Sequence, residues 1–125
     1  CAATCKRRQI RKGMSNLEEP QTMDVVMELI VHSGNAKSIG MEALDASKQG
    51  DFLLARQKLE EADQELLVAH QAQTSLLKQE ASGQTIFVSL LMVHGQDHLM
   101  NAITFLDLAR ELVEVYQNMK LAAKG

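Results

Sequence analysis

Residues 47–59 read SKQGDFLLARQKL, and this stretch decides the fold. Gly50 is of the residue type that most often ends a helix, because glycine adopts the left-handed backbone conformation without steric cost. Asp51 follows it directly, and aspartate is a favoured N-cap for the next helix. One helix therefore ends and another begins within a few residues. A connection this short makes the two helices antiparallel neighbours.

The segments on both sides carry helical signals. Pro20 can open a first helix that continues to Lys48. In the second segment the residues facing the core recur every three or four positions, at Phe52, Ala55, Leu59, Ala62, Leu66, Ala69, Gln73 and Leu77. The loop ASGQT at residues 81–85 ends this second helix.

A third helix is expected from about Ile86 to about Met119. Its first part, IFVSLLMV at 86–93, could also form a short strand by propensity. The rest of the chain offers no partner strand, so we interpret it as helix. The 125 residues contain one Pro and 3% aromatic residues, which fits a single all-helical domain better than a sandwich or barrel. The sequence predicts an all-α, antiparallel up-down-up three-helix bundle over residues 21–121.

The charge is unevenly distributed along the chain. The net charge is −3, yet residues 1–13 hold five of the 13 basic side chains and no acid, which leaves 8 basic against 16 acidic residues in the remainder. So acidic a body is a poor candidate for nucleic-acid binding. We expect residues 1–20 to be a basic N-terminal extension that is disordered or extraneous. A nucleic-acid-binding arm is the alternative, although this stretch lacks interleaved aromatic residues.

Both cysteines, Cys1 and Cys5, lie in that extension, where a lone C-x3-C is a weak metal or disulfide signal. No stretch approaches the ~18 uninterrupted apolar residues of a transmembrane helix. The basic residues are not followed by the apolar run that a signal peptide requires. These features predict a cytoplasmic protein.

The third helix is apolar on more than one face, because Met92, Phe105, Leu108 and Leu112 add to its main stripe. A helix that is apolar almost all round is buried almost all round, so we expect an oligomer.

A polar cluster interrupts the most apolar segment of the chain. Residues 93–101 read VHGQDHLMN, in which His94, Asp97, His98 and Asn101 share one helical face. One interpretation is a satisfied buried polar network that steadies the bundle. A second is a metal site that takes a further ligand from another helix, with His70 available.

The third interpretation is a nucleophilic histidine that receives a phosphoryl group. Gly95 lacks a side chain and is expected to leave room for a partner protein to approach His94. The chain contains no GxxxxGK[ST] phosphate-binding loop, so a partner would have to deliver the phosphate.

These residues also carry a family resemblance. VHGQDHLM at 93–100 occurs together with SGNAKS at 33–38, KQGDF at 48–52, AHQAQT at 69–74 and EASG at 80–83. The chain resembles the lactose/cellobiose-type IIA components of the bacterial phosphoenolpyruvate-dependent sugar phosphotransferase system. The resemblance extends from about Met23 to about Met119.

The resemblance implies a transferase that carries a phosphoryl group for the uptake of a lactose-, cellobiose- or chitobiose-type sugar. His94 would be the phosphohistidine, accepting from the phosphocarrier protein HPr and passing to a cysteine of the IIB component. The IIC permease would couple that phosphate to transport, which places the protein at the cytoplasmic periphery of the permease. His98 would be a supporting group.

The resemblance further implies a homotrimer with Asp97 as a metal ligand at its axis. Three carboxylates meeting there need a cation, most simply Mg²⁺. A trimeric metal-binding scaffold without the relay is the alternative. His70, Gln73 and Thr74 are expected on the core-facing side of the second helix, with His70 structural, and His32 is also expected to be structural. Asn101 departs from the Thr or Ser that the family more often has.

Overall fold

The computed structural model describes residues 20–124, which form three helices: α1 (Pro20–Lys48), α2 (Phe52–Ala81) and α3 (Leu90–Lys124). Each helix packs against the other two, and these residues include no strand. The predicted up-down-up three-helix bundle is confirmed. None of the three helices is long and apolar enough to cross a membrane. The predicted basic extension, up to residue 19, lies outside the described residues.

The turn between α1 and α2 forms as its residues predict. Gly50 has a φ of 81°, and the amide of Asp51 donates to the carbonyl of Ala46 at 2.9 Å. The Asp51 carboxylate then accepts from the amide of Leu54 at 3.1 Å, which satisfies a free donor at the start of α2. A non-glycine residue would be strained at this φ. The local sequence therefore fixes where the chain reverses.

The start of α3 differs from the prediction. Residues 84–89 are neither helix nor strand, and α3 begins at Leu90 rather than near Ile86. Ser89 is the reason, because its hydroxyl accepts from the amide of Met92 at 3.0 Å and so caps the helix. The β-branched residues before it have low helix propensity. This start places His94 in the second turn of α3 instead of the third.

Small residues bring the helices close together. In α2 the buried alanines include Ala55, Ala62 and Ala69, as predicted. Beyond Ala69 the buried positions are Ala72 and Leu76, so the predicted core position of Leu77 is wrong. The buried stripe takes a three-residue step after Ala69, whereas the prediction took a four-residue step.

One side of α3 exposes a row of apolar residues. We call it the α3 stripe. It consists of the apolar residues Val93, Met100, Leu108 and Val115 together with Asp97, which lies among them. Its four apolar members are between 50% and 58% exposed. Leu112 beside the stripe is also exposed, whereas Met92 is buried and Phe105 is half-buried. The prediction that α3 is apolar on more than one face is therefore confirmed for the side that carries Leu108.

Candidate functional site

Two histidines meet near the N-terminal end of α3. The Nε2 atoms of His94 and His98 lie 3.0 Å apart, with the ring centroids 4.5 Å apart and the ring planes at 74°. His94 is exposed and His98 is half-buried. Only one proton can lie between the two nitrogens, so one of them is an unprotonated acceptor. A neutral imidazole keeps one unprotonated ring nitrogen, and the exposed His94 ring, which its neighbour holds in place, can use such a nitrogen for nucleophilic attack.

The position of His94 along α3 also favours an anion. The Cα–Cβ bond of a helical residue tilts toward the N-terminus, so the side chain of His94, in the second turn, leaves the backbone in the direction of the first turn of α3. The N-terminal end of a helix carries a partial positive charge, which stabilises a phosphoryl group placed there. Ser89 leaves that end of α3 exposed at the bundle surface instead of extending the helix past it.

Asp97 does not join the histidine pair. Its side chain is exposed within the α3 stripe, between Val93 and Met100. Among residues 20–124 it has no hydrogen bond or ion pair, although it is one turn away from His94. The buried polar network, in which Asp97 accepts from an imidazole, is therefore not formed within one chain. An unpaired carboxylate in an apolar row is instead left available for something outside the chain.

The single-chain metal site is not formed either. Over the described residues no group of three His, Cys, Asp or Glu side chains stands close enough to hold a metal. His70 is exposed, and its carbonyl accepts from the Thr74 hydroxyl at 2.9 Å. The prediction that His70 faces the core is wrong, whereas Gln73 and Thr74 are half-buried. Ala69 takes the buried position, and the next residue points about 100° away from it.

Gly95 has a different role from the predicted one. It is buried, and a Cβ atom there would lie 3.5 Å from both Leu29 and Val26 of α1. Its missing side chain therefore faces α1 and not the surface beside His94. Gly95 lets α1 and α3 lie close together, and access to His94 comes from the exposure of His94 itself.

A pair of glutamines, which the sequence reasoning missed, joins α2 to α3 beside the cluster. The Gln73 Nε2 donates to the Gln96 Oε1 at 2.7 Å, and both side chains are half-buried. In the sequence, the sign that these two residues belong to the site is that Gln73 lies in the AHQAQT motif and Gln96 in the VHGQDHLM motif. Pattern alone does not show that they touch.

His32 is structural, as predicted. Its Nδ1 lies 2.5 Å from the Glu65 Oε2, and this contact links α1 to α2. The Asn35 Nδ2 donates to the same carboxylate oxygen at 3.5 Å. This polar contact joins α1 to α2.

Comparisons with known proteins give matches over most of the three-helix bundle. Residues 24–117 match the family described as the lactose/cellobiose-specific IIA subunit of the phosphotransferase system. The lichenan-specific phosphotransferase enzyme IIA component of Bacillus subtilis is 47% identical over 95 residues, which cover 76% of this chain and 86% of that protein.

Solved structures agree with this match. The cellobiose-specific enzyme IIA of Bacillus anthracis superposes with a TM-score of 0.79 at 41% identity, covering 87% of this chain and 97% of that one. A IIA(chitobiose) chain solved in complex with HPr, from Escherichia coli, gives a TM-score of 0.69 at 39% identity, covering 78% of this chain and 95% of that one.

Proposed function

The chain belongs to the lactose/cellobiose-specific IIA family of the phosphotransferase system, and we propose that His94 is the residue that carries its phosphoryl group. Members of this family are transferases that act as phosphoryl carriers in sugar uptake. One observation carries the assignment to His94. It is an exposed imidazole in the second turn of α3, with its Nε2 3.0 Å from that of His98.

The transfer needs little chemistry from the protein beyond positioning. An unprotonated ring nitrogen of His94 attacks the phosphorus of the donor phosphohistidine, and the new N–P bond forms as the donor's N–P bond breaks. His98 supports the step through its Nε2, which faces the Nε2 of His94. When the Nε2 of His94 is the nitrogen that becomes phosphorylated, the Nε2 of His98 loses it as a hydrogen-bond partner. An N–H there donates to a phosphoryl oxygen instead. In the next step an acceptor thiolate displaces His94, and the group leaves as an S-phosphate.

The donor that we propose is HPr, and the acceptor is a cysteine of a IIB component. The solved complex of IIA(chitobiose) with HPr supports the donor, because its IIA chain shares this fold at 39% identity. The IIC permease then couples the phosphate to uptake of a lactose-, cellobiose- or chitobiose-type sugar. We place the carrier in the cytoplasm, at the periphery of that permease.

We also propose that three copies pack through the α3 stripe. Its apolar members are exposed along one side of α3, where the exposed Thr104 and Glu111 stand between them, and large exposed apolar surfaces mark interaction sites. Asp97 lies within the row and has no partner among the described residues. Three copies would therefore bring three carboxylates together, and Mg²⁺ is the cation whose oxygen preference and coordination number fit them. When bound, the ion would offset their mutual repulsion.

Phosphorylation with phosphoenolpyruvate, enzyme I and HPr tests the function. We expect wild type and His98→Ala to take up an acid-labile, base-stable label, and His94→Ala to take up none. Loss of label only in His98→Ala would keep the function but assign it to the other histidine. An unlabelled wild type, with HPr itself fully charged, would leave the trimeric metal-binding scaffold as the better description.

Sedimentation in the presence and absence of Mg²⁺ tests the assembly. We expect wild type to sediment as a trimer whose thermal stability rises with Mg²⁺. Asp97→Asn removes the charge with little change in shape, so its trimer should be insensitive to Mg²⁺. A monomeric wild type, or an Asp97→Asn variant that still responds to Mg²⁺, would contradict the proposed axis.

A further inference from the structure

A cavity of about 160 Å³ opens to the surface where α3 ends, beside the turn between α1 and α2. Its lining consists of Gly50, Phe52, Gln117, Lys120, Leu121 and Lys124. None of these residues has an acidic side chain, and the two lysines make no ion pair among residues 20–124. We infer that this cavity binds a small organic phosphate, namely a phosphate monoester with a short carbon chain.

The polar side chains of the lining offer hydrogen-bond donors to a ligand. A lysine ammonium has three N–H donors and no acceptor, which applies to both Lys120 and Lys124. The Gln117 Oε1 accepts from the Arg56 Nη2 at 2.9 Å. Because arginine only donates, this contact fixes the orientation of the carboxamide and leaves its NH₂ group for a ligand. The ligand that fits these three side chains is therefore an anion that accepts hydrogen bonds.

Lys120 is held over the cavity instead of extending into water. Its Nζ lies 5.8 Å from the centroid of the Phe52 ring, which is within the range of a cation–π contact. The same Nζ lies in the space that a Cβ atom on Gly50 would occupy. A lysine that is already positioned loses less side-chain entropy when an anion binds. Lys120 is in this respect better prepared for a ligand than a fully solvated lysine.

Size and charge select the class of ligand. A cavity of about 150 Å³ can hold a molecule the size of benzene, so this one has room for a phosphate group with a few carbon atoms. A phosphate monoester carries a charge of about −1.5 to −2 at neutral pH, which suits two ammonium groups better than a single carboxylate does. Phe52 and Leu121 provide an apolar wall for the carbon chain. Inorganic phosphate would leave that wall uncovered, so we expect the ester to bind more tightly.

The cavity is separate from the histidine pair and from the proposed trimer contact. Lys120 lies about seven helical turns after His94, or roughly 40 Å along α3. A rotation of about 100° per residue places Lys124 about 180° around α3 from Val115 of the α3 stripe. The site is therefore complete in one chain and stays open when the stripe is covered. It does not depend on the proposed function.

Titration with glycerol 3-phosphate at constant ionic strength, followed through the amide resonances by nuclear magnetic resonance, tests the site. We expect saturable shifts at residues 50–52 and 117–124, no shifts with neutral glycerol, and weaker binding of inorganic phosphate. Since only the folded protein has the cavity, the ester should also raise the melting temperature. Absence of shifts at millimolar ester, or equal shifts with glycerol, would overturn the inference. Inorganic phosphate that binds as tightly as the ester would overturn the assignment of an organic phosphate.

Charge variants identify the residues that bind. Lys120→Gln and Lys124→Gln should each weaken binding about tenfold, because each removes a charged hydrogen-bond donor. Gln117→Glu should abolish binding, since its carboxylate still accepts from Arg56 but also repels an anion. Lys37→Gln is the matched control, because Lys37 is an exposed lysine in the middle of α1. It should bind like wild type, and an equal loss in this control would show a general charge effect and overturn the site.

Two further measurements locate the ligand and its source. His94→Ala should bind the ester as wild type does, and loss of binding there would place the ester at the histidine pair and overturn the inference. Vesicles that contain phosphatidate present the same phosphate monoester as a lipid headgroup. Co-sedimentation with them that Lys120→Gln removes would support the site with the headgroup as its ligand. Binding of glycerol 3-phosphate without co-sedimentation would support it with the free ester.

Discussion

The contact between α1 and α3 allows a sharp test of the packing, because two buried glycines face it with very different amounts of room. A Cβ at Gly40 would lie 2.7 Å from the Leu106 Cδ2 and 2.8 Å from the Phe105 Cε1. A Cβ at Gly95 would meet its nearest atoms at 3.5 Å, which is ordinary van der Waals contact. Both residues lie inside helices, so alanine adds about 1 kcal/mol of helix propensity at either site.

That common gain cancels in the comparison, and the difference between the two variants measures the overlap at Gly40. Leu106 is fully buried and cannot move aside freely, whereas the half-buried Phe105 ring can shift outward. Forcing an extra methyl group into a packed core costs about 1–3 kcal/mol. We therefore expect Gly40→Ala to be less stable than Gly95→Ala by about 1–3 kcal/mol, with Gly95→Ala equal to wild type or up to ~1 kcal/mol more stable.

Urea unfolding followed by circular dichroism measures this difference. The protein concentration must be the same for all variants, since subunit association contributes to apparent stability. Gly95→Ala should also accept phosphate at the wild-type rate, because Gly95 faces α1 and not the approach to His94. A Gly40→Ala variant as stable as Gly95→Ala would refute the packing argument. A Gly95→Ala variant that is stable but cannot be phosphorylated would restore the idea that Gly95 gives a partner access.

Three further predictions concern helix ends, core and charge. Ser89→Ala and Asp51→Ala each remove an N-cap and should lower the free energy of unfolding by about 1 kcal/mol in urea titrations, and an unchanged midpoint would argue against the caps. Leu106→Ala empties a fully buried position and should cost about 2–5 kcal/mol in the same assay, whereas a loss well below that range would mean that the core collapses around the site. The hydrogen bond and charge of Glu42 raise the pKa of Lys58, so this pair stabilises the fold at neutral pH and the benefit is lost as the pH rises through that raised pKa. Glu42→Gln should therefore match wild type more closely near pH 11 than near pH 8, and an equal difference at both would contradict the pairing.

Much of the fold follows from local signals in the chain. Gly50 and Asp51 predict the reversal between α1 and α2, because glycine adopts the left-handed conformation without steric cost and aspartate caps the next helix. The motif around His94 also identifies the family and the candidate nucleophile without coordinates. Ser89 is also a good N-cap and so indicates where α3 starts, although the apolar residues on both sides of it favour a continuous helix.

What the sequence determines about this protein is therefore its number of helices, their direction and the motif that holds His94. The tertiary structure decides how each helix is rotated about its own axis. The small and apolar residues of α2 are compatible with more than one rotation of the helix about its axis, in which either Ala69 or the neighbouring His70 faces the core. Packing of α2 against α1 and α3 decides between them, and it places His70 at the surface and Gln73 against Gln96. The same contacts turned Gly95 toward α1 and left Asp97 in the exposed stripe. Helical periodicity is a property of one segment, whereas the rotation of each helix about its axis is the one that gives the three packed helices together the lowest free energy.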